Sequence, residues 1–158
     1  MYLDSSAVIA GLVRCHEHHA VAAPWLQAVR AGSIKAMANL HMSAETWRTL
    51  TGTRLERDMS MRGAAKITND DARLLVLDLF EYIHFVPPTS DQYQRAIERC
   101  STRGYRSSVI YDALHLIAAE GCGVDAVVTL NESDFQRLVR LGSPRILNPM
   151  VEQPPSGS

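Results

Sequence analysis

Several things are scarce in this 158-residue chain, and each shortage narrows what it can be. There are three cysteines, Cys15, Cys100 and Cys122, far apart and without a CxxC spacing, which argues against a zinc ribbon. An odd count in a chain with no signal peptide predicts reduced thiols and a cytoplasmic setting. The apolar run at the start, MYLDSSAVIAGLV, is too short to span a bilayer and lacks a basic leader, so no membrane partner is expected. No GxGxxG and no GxxxxGK[ST] occurs, so a dinucleotide-binding or P-loop reading lacks its glycine loop. Charge is balanced, with 16 Lys and Arg against 17 Asp and Glu, net −1. Whole-chain charge therefore argues neither for nor against a nucleic-acid partner, and only a local patch could. No internal repeat is found.

What is present is ordinary for a globular protein: 46% apolar and 21% charged residues, and a length suited to one domain with a real core. The spacing predicts a single domain over residues 1–149 and a flexible tail over 150–158, which ends in EQPPSGS. Tyr2 and Leu3 read as a short buried strand ending at Asp4, with Ser5 or Ser6 as the cap of the helix that follows. Residues 18–30 have helical spacing. Ile34 to Leu40 reads as a second strand, and Ser43 as the cap of a helix that carries Glu45. Residues 54–66 are more polar and less defined. Asn69 or Asp70 caps a helix through ARLLVLDLFEYI. HFVPPT is a strand cut short by prolines, and Ser90 or Asp91 caps the next helix. Ser107 or Ser108 opens the helix of YDALHLIAAE, DAVVTL is the clearest strand, NESDFQRLVRLG is a helix, and PRILNP supplies a last strand.

Strands thus alternate with helices along the whole chain, and the strands are near-continuous apolar runs. That pattern predicts an α/β fold: a central, mainly parallel sheet covered on both faces by helices. In such a sheet the functional crevice lies beyond the carboxyl ends of the strands. Asp4 ends the first strand, Glu45 follows the second, Asp112 lies in the first turns of the helix before DAVVTL, and Asn131 follows that strand, with Asp134 close behind. Asp112 is conspicuous, because a carboxylate in an otherwise apolar segment needs a partner, a crevice or a cation. Clustered carboxylates repel one another unless a cation is present. Oxygen ligands without His or Cys suit hard cations such as Mg²⁺ or Mn²⁺, which activate water and steady charge on a phosphate. The cluster points to metal-assisted phosphodiester hydrolysis.

MYLDSSAVIAGL, SAETWRTL, YDALHLIAA and VVTLNESDF, in this order, resemble the four signature segments of the PIN domain. Within that family they look most like the small VapC ribonuclease toxins of type II toxin–antitoxin pairs. The resemblance runs from about Met1 to Pro149. It implies a three-layer α/β/α sandwich and a Mg²⁺- or Mn²⁺-dependent endoribonuclease. It also implies a homodimer, inhibited by a cognate antitoxin that covers the acidic site. Carried over by position, Asp4, Glu45 and Asp112 match the first three acids. Asn131 stands where the fourth is usually Asp, a departure that removes one negative charge; Asp134, one turn on, is the candidate to compensate. The catalytic candidates are therefore Asp4, Glu45, Asp112 and Asn131, and the metal candidates Asp4, Glu45, Asp112 and Asp134. Ser5 and Thr129 are supporting residues. Arg48, Arg54, Arg57 and Arg106, with Arg62 and Arg103 beside them, are candidates for RNA phosphates.

Blander readings accompany each of these. Asp4, Asn131 and Asp134 could be helix caps, and Glu45 could be dipole compensation in a first turn. His16, His18 and His19 of CHEHH lack two separated ligand pairs and read as a solvated loop. His115 could hydrogen-bond Asp112 or be a core histidine. Trp25 and Trp47 read as core or dimer-interface residues, and an arginine run is commonly solvated surface. Two rival functions remain open: a catalytically weak or inactive module that binds RNA or protein, and a phosphatase with Asp4 as nucleophile.

Overall fold

The computed structural model describes residues 1–155. Five strands lie in one sheet: β1 (Tyr2–Leu3), β2 (Ala36–Asn39), β3 (Ile83–Val86), β4 (Ala126–Val128) and β5 (Arg145–Leu147). Their order is β3-β2-β1-β4-β5, and every neighbouring pair is parallel. Parallel strands need crossover connections, and eight helices supply them: α1 (Ser5–Leu12), α2 (His19–Arg30), α3 (His41–Leu50), α4 (Thr53–Met61), α5 (Asn69–Leu79), α6 (Ser90–Thr102), α7 (Val109–Gly121) and α8 (Glu132–Leu138).

Strand side chains alternate between faces, and this divides the core in two. Leu3, Ala36, Ala38 and Val128 point to one side, against Val8 of α1, Trp25 and Val29 of α2, Met42 of α3 and Leu79 of α5. Tyr2 and Val127 point to the other, against Ala96 of α6, Leu116 and Ile117 of α7 and Phe135 of α8. The result is the expected three-layer α/β/α sandwich. Burial on both faces explains why the strands read as continuous apolar runs rather than alternating ones. Gly11 lets α1 and α2 approach closely: a Cβ there would stand 2.6 Å from Leu26 Cδ1 and 3.3 Å from the Ala22 carbonyl oxygen.

Several helix starts lie earlier than the sequence reading placed them, each for a local reason. Asp4 itself caps α1, its side chain accepting from the Ser6 backbone N–H. Thr68, not Asn69 or Asp70, caps α5 in a reciprocal capping box with Asp71, and Thr89, not Ser90 or Asp91, does so for α6 with Gln92. α3 begins at His41, before Ser43, because Asn39 Oδ1 accepts from the His41 N–H at 2.8 Å; the Ser43 hydroxyl donates back to the Leu40 carbonyl at 2.7 Å. The polar stretch after Gly52 is helical, as α4. Of the expected tail, Val151 and Glu152 turn back, both backbone N–H groups donating to the Asn148 carbonyl. Residues 156–158 lie outside the described residues.

The sheet order reverses direction at β1: β2 and β3 follow on one side, β4 and β5 on the other. Such a switch point opens a crevice at the carboxyl ends of the two strands that flank it. Here those ends carry Asp4, after β1, and Thr129, after β4.

Candidate active site

Asp4 is 1% exposed, and its burial is tolerated because one oxygen is saturated with donors. Its Oδ2 accepts from the Ser6 hydroxyl at 2.6 Å, the Thr129 hydroxyl at 2.8 Å and the Ser6 backbone N–H at 3.3 Å. Those hydroxyls are held in turn, Ser6 Oγ accepting from the Leu130 N–H at 3.0 Å and Thr129 Oγ1 from the Asn131 N–H at 2.9 Å. The start of α1 adds a favourable dipole. The other oxygen, Oδ1, lies 3.8 Å from His115 Nε2. Thr129 thus supports Asp4 directly. Ser6 does the same, whereas the Ser5 hydroxyl interacts with Glu45.

A second buried network starts from Tyr2. Its hydroxyl accepts from the Asn39 backbone N–H at 2.9 Å and lies 2.9 Å from His115 Nδ1. The other ring nitrogen, Nε2, is 2.8 Å from Glu45 Oε2. His115 is 2% exposed. Burial alone would lower its pKa, but the Glu45 hydrogen bond and the charges of Asp4, Glu45 and Asp112 outweigh that and raise it. Burial would likewise raise Glu45, yet the His115 hydrogen bond and charge, with His41 and Ser5, hold it below the ordinary carboxylate value. His115 is therefore the buried clamp between Tyr2 and Glu45, rather than the partner of Asp112.

Asp112 sits half-buried in the first turn of α7. Its pKa is pushed up to about 7, first by burial, then by the charges of Asp4 and Asp134, with Glu45 adding and His115 opposing. Desolvation and like charge both disfavour the ionised form, and here they act together. Asp134, in the first turn of α8, is one of the charges that reach Asp112, and it also pairs with Arg137. Asn131 is exposed at the N-cap position of α8, and its amide makes no capping bond.

The charges of Asp4, Asp134 and Glu45 all reach Asp112, whereas the Asn131 side chain is exposed and makes no capping bond. Among the described residues no three His, Cys, Asp or Glu side chains stand close enough to hold an ion as they are. The donor set nonetheless fits a hard divalent cation in kind: oxygen ligands, among them an Asp112 carboxyl that burial first and the neighbouring negative charges second keep partly protonated near neutrality.

The arginines separate by position. Arg48, one turn beyond Glu45 on α3, lines a cleft beside the acids, and with Arg54 it lines the next cleft along. Arg57 and Arg106 are exposed and line neither. Arg103 donates to the Arg137 and Val139 carbonyls, and Arg62 lies beside His16. The CHEHH histidines are held by local bonds, His16 Nδ1 by the His18 N–H and His19 Nδ1 by the Ala10 carbonyl. Trp25 is core, and Trp47 is 39% exposed.

Tyr2, Ser6, Asn39 and the clamp role of His115 were not read from the sequence. Tyr2 could have been found, since residues i and i+2 of a strand share a face and Asp4 is two residues on. No curated protein matches the chain. The family model described as PIN domain matches residues 1–141, most of the chain. The chain belongs to the PIN domain family.

Proposed function

We propose that this chain is a Mg²⁺- or Mn²⁺-dependent endoribonuclease that hydrolyses RNA phosphodiester bonds, and that it is the VapC-like toxin of a type II toxin–antitoxin pair. PIN domains are usually metal-dependent nucleases, and the observation that supports the reading here is a half-buried Asp112 on which the negative charges of Asp4, Asp134 and Glu45 all act. Asp4 Oδ1, Glu45 and Asp112 would hold the ion, with Asp134 or Asn131 at the edge. A bound divalent cation supplies an activated water and neutralises charge that builds on the phosphate. The chain's own residues do the rest. Ser6 and Thr129 fix the rotamer of Asp4, His115 fixes that of Glu45, and Arg48 and Arg54 offer cations to the RNA backbone.

The proposal includes a cytoplasmic location, a homodimer and a cognate antitoxin that covers the crevice. Among the described residues no helix is long and apolar enough to cross a membrane. Leu74 and Leu77, exposed on one face of α5, provide apolar surface for a protein contact.

The test is incubation of the antitoxin-free protein with labelled structured RNA in Mg²⁺, Mn²⁺ or EDTA, beside Asp112→Asn and Asp4→Asn. Metal-dependent cleavage absent from both variants is expected. Cleavage by Asp112→Asn at the wild-type rate would sink the mechanism. Growth arrest on expression, relieved by a co-expressed neighbouring small protein, tests the toxin assignment. One observation favours a second reading, a weak or inactive RNA-binding module: Asp134 is engaged by Arg137, and Asn131 brings no charge. RNA binding without cleavage in any metal would select it.

A further inference from the structure

The cleft beside the acids has a composition of its own. His41, Ala44, Glu45 and Arg48 recur at helical spacing on one face of α3, and with Ser108 and Tyr111 at the start of α7 they line that cleft. The His41 ring is stacked on Tyr111, 8° from parallel with centroids 5.4 Å apart. Tyr111 is 45% exposed, so with His41 behind it the ring keeps open surface in the cleft. Glu45 belongs both to this cleft and to the acid cluster, and Tyr111 directly precedes Asp112. Arg48 continues into the next cleft, where Arg54 stands. Neither guanidinium has an ion-pair partner among the described residues.

We propose that this cleft seats one unpaired nucleobase next to the cleaved phosphate, stacked on Tyr111, with the adjoining backbone phosphate held by Arg48. The inference rests on the nuclease reading and adds the residues that would seat the nucleotide beside the cleaved bond. Each element has a physical reason. A stacked aromatic pair holds Tyr111 in one orientation, so little ordering is left to do when a base arrives. Every base has a π face, so the seat tolerates any base but needs it unstacked. The small Ala44 side chain leaves room on the α3 wall. The guanidinium of Arg48 at the far end attracts the adjoining phosphate, so the nucleotide is held at both its base and its backbone. A base inside a duplex is already stacked on both sides and cannot enter, so this seat takes only a base free of a duplex.

The test is fluorescence anisotropy with the full chain, a labelled single-stranded RNA and EDTA to prevent cleavage. The same RNA is prepared with one abasic nucleotide scanned along it, and as a duplex. Tyr111→Ala is expected to weaken single-strand binding by about fivefold or more, the scale of losing one base–aromatic stack. Tyr111→Phe, which keeps the ring, should bind like the wild type, and Tyr111→Leu, which keeps bulk without a π face, should bind like Tyr111→Ala. One abasic position should cost the wild type a similar factor and cost Tyr111→Ala nothing further. Duplex RNA should bind more weakly than the single strand. Wild-type affinity in Tyr111→Ala, or equal binding of duplex and single strand, overturns the inference; if metal-dependent cleavage persists, the nuclease assignment survives it. A wild-type protein that neither binds nor cleaves RNA overturns both.

Discussion

Asp112→Asn should stabilise the metal-free protein while abolishing its activity. The native carboxyl titrates at about 7, against 3.8 for an unperturbed one, because it is partly desolvated and faces Asp4 and Asp134. A shift of that size corresponds to roughly 4 kcal/mol between the protonation states, and discounting for its partial exposure leaves about 2 kcal/mol. The sign follows from proton linkage. Below pH 3.8 the acid is protonated in both states and costs nothing. Between 3.8 and about 7 the native state binds the extra proton, so stability falls as pH rises, and above about 7 the full penalty is in place. Asn cannot ionise. In EDTA the variant should therefore match the wild type near pH 4 and exceed it by about 2 kcal/mol at pH 8, a rise of about 4–8 °C in Tm. Urea denaturation across pH, followed by circular dichroism, measures this. Saturating Mg²⁺ should reverse the order, because an ion that binds only the native wild type stabilises it by roughly 2.7 kcal/mol at a hundredfold excess over Kd. A variant no more stable than the wild type at pH 8 in EDTA would refute the claim that burial and neighbouring negative charge together disfavour the ionised Asp112.

Other residues give independent checks. Tyr2→Phe removes one oxygen and leaves the Asn39 N–H and His115 Nδ1 without their partner; urea melts should show a loss of about 2 kcal/mol, and a loss below about 0.5 kcal/mol would deny the clamp its importance. The raised pKa of His115 contributes stability that is complete below about 6.5 and lost as pH rises through the native value. The lowered Glu45 contributes stability above 4.5 that is lost as pH falls. Replacing His115 by Gln should therefore flatten the alkaline limb of the stability profile, and an unchanged profile would show that the ring carries no such charge. Gly11→Ala should destabilise by about 1 kcal/mol in thermal melts, since overpacking against Leu26 and the Ala22 carbonyl outweighs the gain in helix propensity; a stabilised variant would mean that α1 and α2 separate without cost. Glu120→Gln leaves Arg99, 3% exposed and paired to both Glu120 oxygens at 2.8 Å, as a buried unpaired cation, and should cost about 3 kcal/mol. Wild-type stability there would show that water reaches the guanidinium.

The layered fold was legible because it rests on local patterns: short apolar runs too brief to be anything but buried strands, alternating with helical spacing. The helix starts were misread by one to three residues because capping depends on which side chain turns back to the backbone. Thr68 and Thr89 do so through Asp71 and Gln92, and several Ser, Asn and Asp residues nearby could have served. Asp4 and Asp112 were legible as candidates because buried acids are costly and these two stand at a strand end and in an apolar helix. The arginines were legible only as a group, because side-chain charge says nothing about which cleft a helix face will line.

The sequence alone determined the alternation of elements, the all-oxygen character of the acids and their placement after strands, since each follows from residues close together in the chain. Only the tertiary structure decided which groups meet. His115 finds Glu45 across 70 residues and Tyr2 across 113. Thr129 reaches Asp4 across 125. Asp4 and Asp134 are the neighbours whose charges bear most on Asp112. Those pairings arise because a parallel sheet brings distant strand ends to one edge, where burial removes the water that would otherwise solvate each polar group, so that the groups must satisfy one another.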